Sequence, residues 1–99
     1  MKNVIFDYET IFILNPAIGE EGIKTAVEKF SNLIEANGGT IIEKNEWGMK
    51  KLAYPINFIE EGYYTLINFS ADSQFITELE RIYNITDYVL RSIVVRKEK

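Results

Sequence analysis

Apolar residues recur every three or four positions over residues 19–37, which is the spacing of one buried face of an α-helix. Acids at Glu20 and Glu21 suit the positive end of the helix dipole, and Gly38 follows where a left-handed cap is common. The residues of the apolar face are Ile23, Ala26, Val27, Phe30, Leu33 and Ile34. Burying the five large ones is worth roughly 10 kcal/mol, whereas ordering the backbone costs about 1–2 kcal/mol per residue. The helix therefore needs a sheet to pack against.

The segments that follow and precede this helix have the β-branched and aromatic composition of strands. Residues 8–14 are nearly all apolar and predict a strand that is buried on both faces or covered by a partner. A long extended segment runs from residue 40 to about residue 58. The sequence Glu60-Glu61-Gly62 predicts a turn, and residues 63–70 predict the returning strand.

A second helix is predicted after this strand, with Asp72 or Ser73 as its cap. Its apolar positions at helical spacing are Phe75, Ile76, Leu79, Ile82 and Tyr83. Residues 88–96 predict a last strand, and residues 97–99 a frayed polar end. The order strand, helix, strand, strand, helix, strand predicts an α+β ferredoxin-like plait (βαββαβ) in a single domain over residues 1–99. Its four-stranded antiparallel sheet would carry both helices on one face.

A basic and aromatic cluster lies in the long extended segment, in the sequence Gly48-Met49-Lys50-Lys51-Leu52-Ala53-Tyr54-Pro55-Ile56. Glycine within a strand marks a bulge or a close backbone approach, and proline belongs at a sheet edge or near a strand end. An exposed strand with Lys50, Lys51 and Tyr54 suits contact with phosphate and with a base or ribose. An ordinary edge strand, whose lysines discourage edge-to-edge pairing, explains the same residues. The local chemistry leaves both interpretations open.

The sequence gives little support for catalysis or for a cofactor. It has no cysteine and no histidine, which excludes disulfides, thiolate metal sites and the usual general base near neutral pH. The acidic pairs 20–21 and 60–61 have simpler explanations as a helix start and a solvated turn. The longest apolar run, residues 11–14, is far too short to span a membrane. We expect a cytoplasmic protein that is not an enzyme, needs no cofactor and has no membrane partner.

The net charge of −4 is unusual for a protein that binds nucleic acid. Residues 1–47 carry four lysines against eight acids, whereas residues 48–99 carry seven basic and seven acidic groups. The basic groups of the second half lie mainly at Lys50-Lys51 and in residues 91–99. A small basic surface on an acidic protein is therefore possible, but not strong RNA binding by this chain alone.

Four blocks in this order resemble the family of the sixth protein of the bacterial small ribosomal subunit. They are Tyr8-Glu9-Thr10-Ile11-Phe12-Ile13-Leu14-Asn15-Pro16, the motif at residues 48–56, Gly62-Tyr63-Tyr64, and Asp87-Tyr88-Val89-Leu90-Arg91-Ser92-Ile93-Val94-Val95-Arg96. The resemblance covers about residues 8–96. It implies a structural ribosomal protein that is a monomer when isolated. It also implies cooperative binding to the central domain of the small-subunit ribosomal RNA, as a heterodimer with the eighteenth protein of that subunit, and no binding of DNA.

The resemblance also implies a set of RNA contacts. The positions that match are Lys50, Lys51, Tyr54, Tyr8, Arg91 and Arg96. The lysines and arginines are expected to contact phosphates, and the tyrosines to contact ribose or to stack. The sequence departs from the family at Phe6 and Asp7, where members often have basic residues.

A competing hypothesis is a regulatory ferredoxin-like domain that binds a small molecule and acts as a homodimer. Such a domain needs a pocket lined by helix starts and glycines. Gly19 and Gly22, near the start of the first helix, are the features that favour it.

Overall fold

The computed structural model describes residues 4–56 and 58–97, so the predicted frayed end lies outside the described residues except for Lys97. The elements are β1 (Ile5–Leu14), α1 (Gly19–Ala36), β2 (Thr40–Ile56), β3 (Ile59–Asp72), α2 (Ser73–Ile85) and β4 (Val89–Arg96). All strand pairs are antiparallel, and the order across the sheet is β2-β3-β1-β4. The predicted plait is therefore confirmed.

Both helices pack on the same face of the sheet, around three aromatic rings. Phe12 of β1 lies 5.1 Å from Phe30 of α1 and 5.5 Å from Tyr83 of α2, measured between ring centroids. Phe30 and Tyr83 are themselves 4.9 Å apart. The two pairs that involve Phe30 are edge-to-face, an arrangement that stabilises a core beyond the area that the rings bury.

The alternation of side chains along β1 sets apart the two faces of the sheet. Tyr8, Thr10, Phe12 and Leu14 point towards the helices and are buried. The residues between them lie on the opposite, open face, where no helix of the described chain packs. The sequence predicted a strand buried on both faces or covered by a partner; on the second face of β1, Ile13 is buried and Ile11 is partly exposed.

The helix ends follow the predicted capping. Gly38, just after α1, has φ 83°, the left-handed conformation that glycine adopts without strain. Of the two predicted caps for α2, Asp72 is the one used, since its Oδ1 accepts a hydrogen bond of 2.8 Å from the backbone nitrogen of Gln74.

The predicted turn at residues 60–62 is wrong. Ile56 pairs with Ile59, so the chain reverses before residue 60, and Gly62 lies within β3 opposite Lys50. Two acids and a glycine resemble a turn in composition, but here the glycine makes room for a neighbour. A Cβ at Gly62 would overlap Cγ2 of Ile13 on the adjacent strand.

The hairpin formed by β2 and β3 extends beyond the rest of the sheet. β1 pairs with β3 only as far as Leu14 and Tyr63, so residues 59–62 are paired with β2 alone.

The described helices are too short or too polar to cross a membrane. Within residues 4–56 and 58–97, no group of three or more side chains is arranged to hold a metal ion.

Candidate nucleic-acid interface

The predicted bulge in β2 is confirmed at Gly48. This glycine has φ 85°, and the ladder with β3 shifts between Glu46 and Gly48, so that Trp47 is the extra residue. β2 is also an edge strand, as the proline at position 55 indicated. The bulge gives Trp47 a direction that a regular strand would not.

An aromatic and cationic stack forms on the open face next to this bulge. The rings of Trp47 and Tyr64 are 6.3 Å apart with an interplanar angle of 18°. Nζ of Lys50 lies 5.5 Å from the Trp47 ring centroid, within range of a cation–π interaction. This stack of Lys50, Trp47 and Tyr64 presents a positive charge and flat rings together, as contacts with phosphate and with unpaired bases require.

A shallow cavity of about 210 Å³ continues this surface across β1 to β4. Its lining residues are Ile13, Leu52, Ala53, Tyr54, Tyr64 and Arg91. Arg91 reaches it because its backbone is paired with Ile13. Lys50, Tyr54 and Arg91, three of the predicted contacts, are thus brought to one part of the open face.

The cations of this surface are not engaged in ion pairs within the described residues. Among the described residues, the one ion pair joins Arg81 and Glu78 on α2, at 2.8 Å. This pair raises the pKa of the arginine and lowers that of the glutamate. Lys50 and Arg91 have no such partner within the described chain, so a phosphate would not have to displace one.

Two other predicted contacts lie elsewhere. Lys51 follows Lys50 in the strand, so its side chain leaves the opposite face of the hairpin. Arg96 lies five residues beyond Arg91, about 17 Å along β4. Its guanidinium sits 4.3 Å from the ring centroid of Phe6.

Tyr8 lies in the core. It is 6% exposed and stacks on Phe69 with the ring centroids 5.7 Å apart. Burial raises its pKa, and the nearby positive charge of Arg96 partly opposes this. An RNA contact at Tyr8 stays a prediction, and the burial of its side chain leaves little surface to make it.

Two aromatic residues of this region were not predicted from the sequence to belong to it. Trp47 is the only tryptophan of the chain and directly precedes the bulge glycine, which was a usable signal. Phe58, at the end of the hairpin, is 98% exposed. Its position at the end of the hairpin was not predicted, because the turn was expected after it.

The two glycines that favoured a regulatory site have local explanations. Gly19 has φ 77°, and a Cβ at Gly22 would lie 2.9 Å from Cβ of Ile18. A cavity of about 600 Å³ lies beside this helix start, and Gly19, Glu20 and Met49 are part of its lining. Because the backbone conformation at Gly19 and the packing at Gly22 already account for both glycines, the glycines alone do not indicate a ligand there.

Comparison with known families gives one match over most of the chain. The family model described as Ribosomal protein S6 matches residues 7–96. All four blocks quoted above lie within this range.

Individual proteins show the same similarity. The chain is 56% identical over 93 residues to small ribosomal subunit protein bS6 of Clostridium novyi, covering 94% of this chain and 98% of that protein. It is 52% identical over 91 residues to the bS6 protein of Clostridium botulinum strain Loch Maree, covering 92% and 97%. The crystal structure of 30S ribosomal protein S6 from Thermotoga maritima superposes with a TM-score of 0.89 at 36% identity, covering 95% of this chain and 89% of that one.

Proposed function

The chain belongs to the ribosomal protein S6 family, and from that premise we propose that it binds the central domain of the small-subunit ribosomal RNA together with the eighteenth protein of that subunit. It is a structural protein of the small subunit, not an enzyme, and its location is the cytoplasmic ribosome. The competing hypothesis of a homodimeric regulatory domain is not needed to explain Gly19 and Gly22, the two residues that favoured it.

The observation that carries the proposal is the stack of Lys50, Trp47 and Tyr64 beside Arg91 and Tyr54. Lys50 and Arg91 would contact phosphates, and the aromatic rings would stack on bases or pack against ribose. Lys51 and Arg96 are proposed as further phosphate contacts from the other face. Tyr8 is retained only as a minor contact.

The weak charge of the chain supports a joint mode of binding. The protein carries a net charge of −4, so its few clustered cations must act against long-range repulsion of the RNA. A basic partner that binds the same RNA would supply further phosphate contacts. Each protein would then raise the affinity of the other for the RNA by the same factor.

The apolar part of the open face is the proposed binding surface for the partner protein. Ile93 and Val95 of β4 are 54% and 46% exposed, and Ile11 lies beside them on β1. Contiguous exposed apolar side chains usually mark a binding surface. RNA and partner would thus occupy neighbouring parts of one sheet face.

A salt-dependent titration of a central-domain RNA fragment tests the proposal, with the partner protein present and absent. We expect weak binding alone and tight, salt-sensitive binding with the partner. The double variant Lys50→Ala/Lys51→Ala should weaken this binding and lower the slope of log K against log salt by about 1.4–1.8, because two phosphate contacts are lost. Its free energy of unfolding should stay within about 0.5 kcal/mol of wild type, since both lysines are exposed.

The matched control is Lys24→Ala/Lys29→Ala, which removes the same charge from the exposed side of α1. It should change the salt slope much less, as these lysines lie in the helix layer. Equal effects of the two double variants would mean that only net charge matters and that residues 50 and 51 are outside the interface. No binding of the wild type in either condition would refute the function itself.

A further inference from the structure

Phe58 has two unfavourable properties at once. Its ring is 98% exposed, and its backbone has φ 68°, the only positive φ of a non-glycine residue in residues 4–56 and 58–97. A bulky side chain in the left-handed region is strained, and glycine or asparagine is the ordinary choice in a tight hairpin. Packing within the chain does not offset either cost, because so exposed a ring contacts almost nothing. A strained and exposed residue of this kind points to a function outside the folded chain.

The position of Phe58 connects it with the proposed RNA surface. The β2–β3 hairpin extends past the end of β1, and Phe58 stands next to the Ile56–Ile59 pair that closes it. Tyr54, 76% exposed, precedes it on β2, and Lys50 and Lys51 lie further back on the same strand. The hairpin thus carries cations near the sheet and bare aromatic rings towards its end.

We propose that Phe58 stacks on an unpaired base of the RNA that this hairpin contacts. The proposal rests on the proposed function and adds a contact to it. Sequence-specific and shape-specific RNA recognition commonly uses bases in loops and bulges, which stack on aromatic side chains. Such a stack needs one flat, accessible ring face, and Phe58 offers both of its faces.

The charges around Phe58 favour a base over a phosphate at this point. Glu60 and Glu61 follow it on β3 and are exposed, so they would repel a phosphate near the hairpin end. The face of a base carries no net charge and is not repelled in this way. Phosphates of the same strand would instead lie towards Lys50 and Lys51.

Three variants of Phe58, titrated against the central-domain RNA fragment with the partner present, test the proposal. Phe58→Gly should weaken binding about 5- to 150-fold, the loss of one stack. Phe58→Tyr keeps the ring and should bind within about twofold of wild type. Phe58→Leu keeps apolar surface without a ring and should bind nearly as weakly as Phe58→Gly. No variant should change the salt slope, because none removes a charge.

Thermal unfolding separates this role from a structural one. Phe58→Gly should raise Tm by about 2–6 °C, since glycine relieves the strain at φ 68°. If Phe58 were present for stability, its substitution would instead lower the Tm of the protein. A variant whose Tm is unchanged or raised is folded under the conditions of the titration, so its affinity can be compared directly with that of the wild type.

Three other outcomes of these experiments would each overturn the proposal that Phe58 stacks on a base. Wild-type RNA affinity in Phe58→Gly, with the lysine variant still defective, would exclude the stack and leave the proposed function intact. Loss of affinity for the partner protein alone, measured without RNA and spared in Phe58→Leu, would make Phe58 an anchor in a protein pocket. Absence of RNA binding by the wild type would refute the function and this contact together.

Discussion

Tyr83 brings a hydroxyl group into the aromatic centre of the molecule. Its Oη lies 3.1 Å from Oγ1 of Thr10, and Thr10 in turn donates to the carbonyl oxygen of Ile93 at 3.0 Å. Because the threonine has one proton to give, Tyr83 is the donor in its pair with Thr10. Burial raises the pKa of Tyr83 above its ordinary value, and the hydrogen bond that the phenol donates to Thr10 favours the same protonated form. The folded protein therefore keeps this phenol protonated where the unfolded chain ionises it.

This shift predicts how stability depends on alkaline pH. A group with a raised pKa in the folded state contributes fully below its unfolded pKa of about 10, and the contribution is lost as the pH rises through the folded pKa. Tyr83→Phe should cost about 1 kcal/mol at pH 7, through the lost hydrogen bond. Above pH 10 its free energy of unfolding should fall less steeply than that of wild type. Urea unfolding between pH 7 and 11 measures both quantities.

The control for this prediction is Tyr54→Phe, which removes a phenol that is 76% exposed. It should match the wild type over the whole pH range. Some alkaline loss must remain in Tyr83→Phe, because burial also raises the pKa of Tyr8 and Tyr63. An alkaline slope identical to that of the wild type would show that Tyr83 ionises equally in the folded and unfolded states.

At the scale of the elements, Gly62 of β3 lies where side chains of β1 and β2 leave no room for a Cβ. The side chain of Ile13 on β1 lies over its Cα, and Cδ2 of Leu52 would be 3.5 Å from a Cβ at this position. A methyl group added there must displace Ile13 or separate the strands. The glycine is thus required by packing between strands, since it has no positive φ.

A double-mutant cycle tests this packing. Gly62→Ala should cost about 1–3 kcal/mol of unfolding free energy in the wild type, because Ile13 cannot move without disturbing the sheet. In the Ile13→Ala background, where Cγ2 is absent, the same change should cost less than about 1 kcal/mol. Denaturant unfolding of the four proteins gives the coupling energy. Glu61→Ala, on the exposed neighbour, is the control and should be nearly neutral. Strictly additive costs would contradict the assigned contact.

The same glycine shows where prediction from sequence succeeds and fails. Helical periodicity predicted α1, a glycine after its last apolar position predicted the cap at Gly38, and strand composition with the order of elements predicted the plait. These signals depend on neighbours within a few positions. The turn was misplaced because the residue that decides the role of Gly62 is Ile13, on another strand. Lys50, Tyr54 and Arg91 were identified from the sequence, but only the strand register shows that they share a surface. Trp47 was missed although the bulge beside it was predicted, because its stack on Tyr64 depends on the register between β2 and β3.

At the scale of the whole molecule, the two faces of the sheet have different tasks. The covered face holds the core of both helices, and it determines whether the chain folds. The open face carries apolar side chains along β1 and β4 that the fold itself does not bury, including Ile93 and Val95. Side chains that contribute little to folding can be changed with small effects on stability, so folding and assembly can be tested separately.

Ile93→Gln is the variant that separates an effect on assembly from an effect on folding. It removes apolar surface from the open face but leaves the covered core untouched, so its free energy of unfolding should stay within about 1 kcal/mol of wild type. Affinity for the eighteenth small-subunit protein, measured by calorimetry without RNA, should fall at least tenfold, because a central apolar contact is replaced by an amide that must be desolvated. Ile85→Gln, at the end of α2 and 63% exposed, is the matched control and should retain the affinity. Equal affinities of the two variants would place the partner away from the open face. The proposed cooperativity between the two proteins would then have to act through the RNA alone.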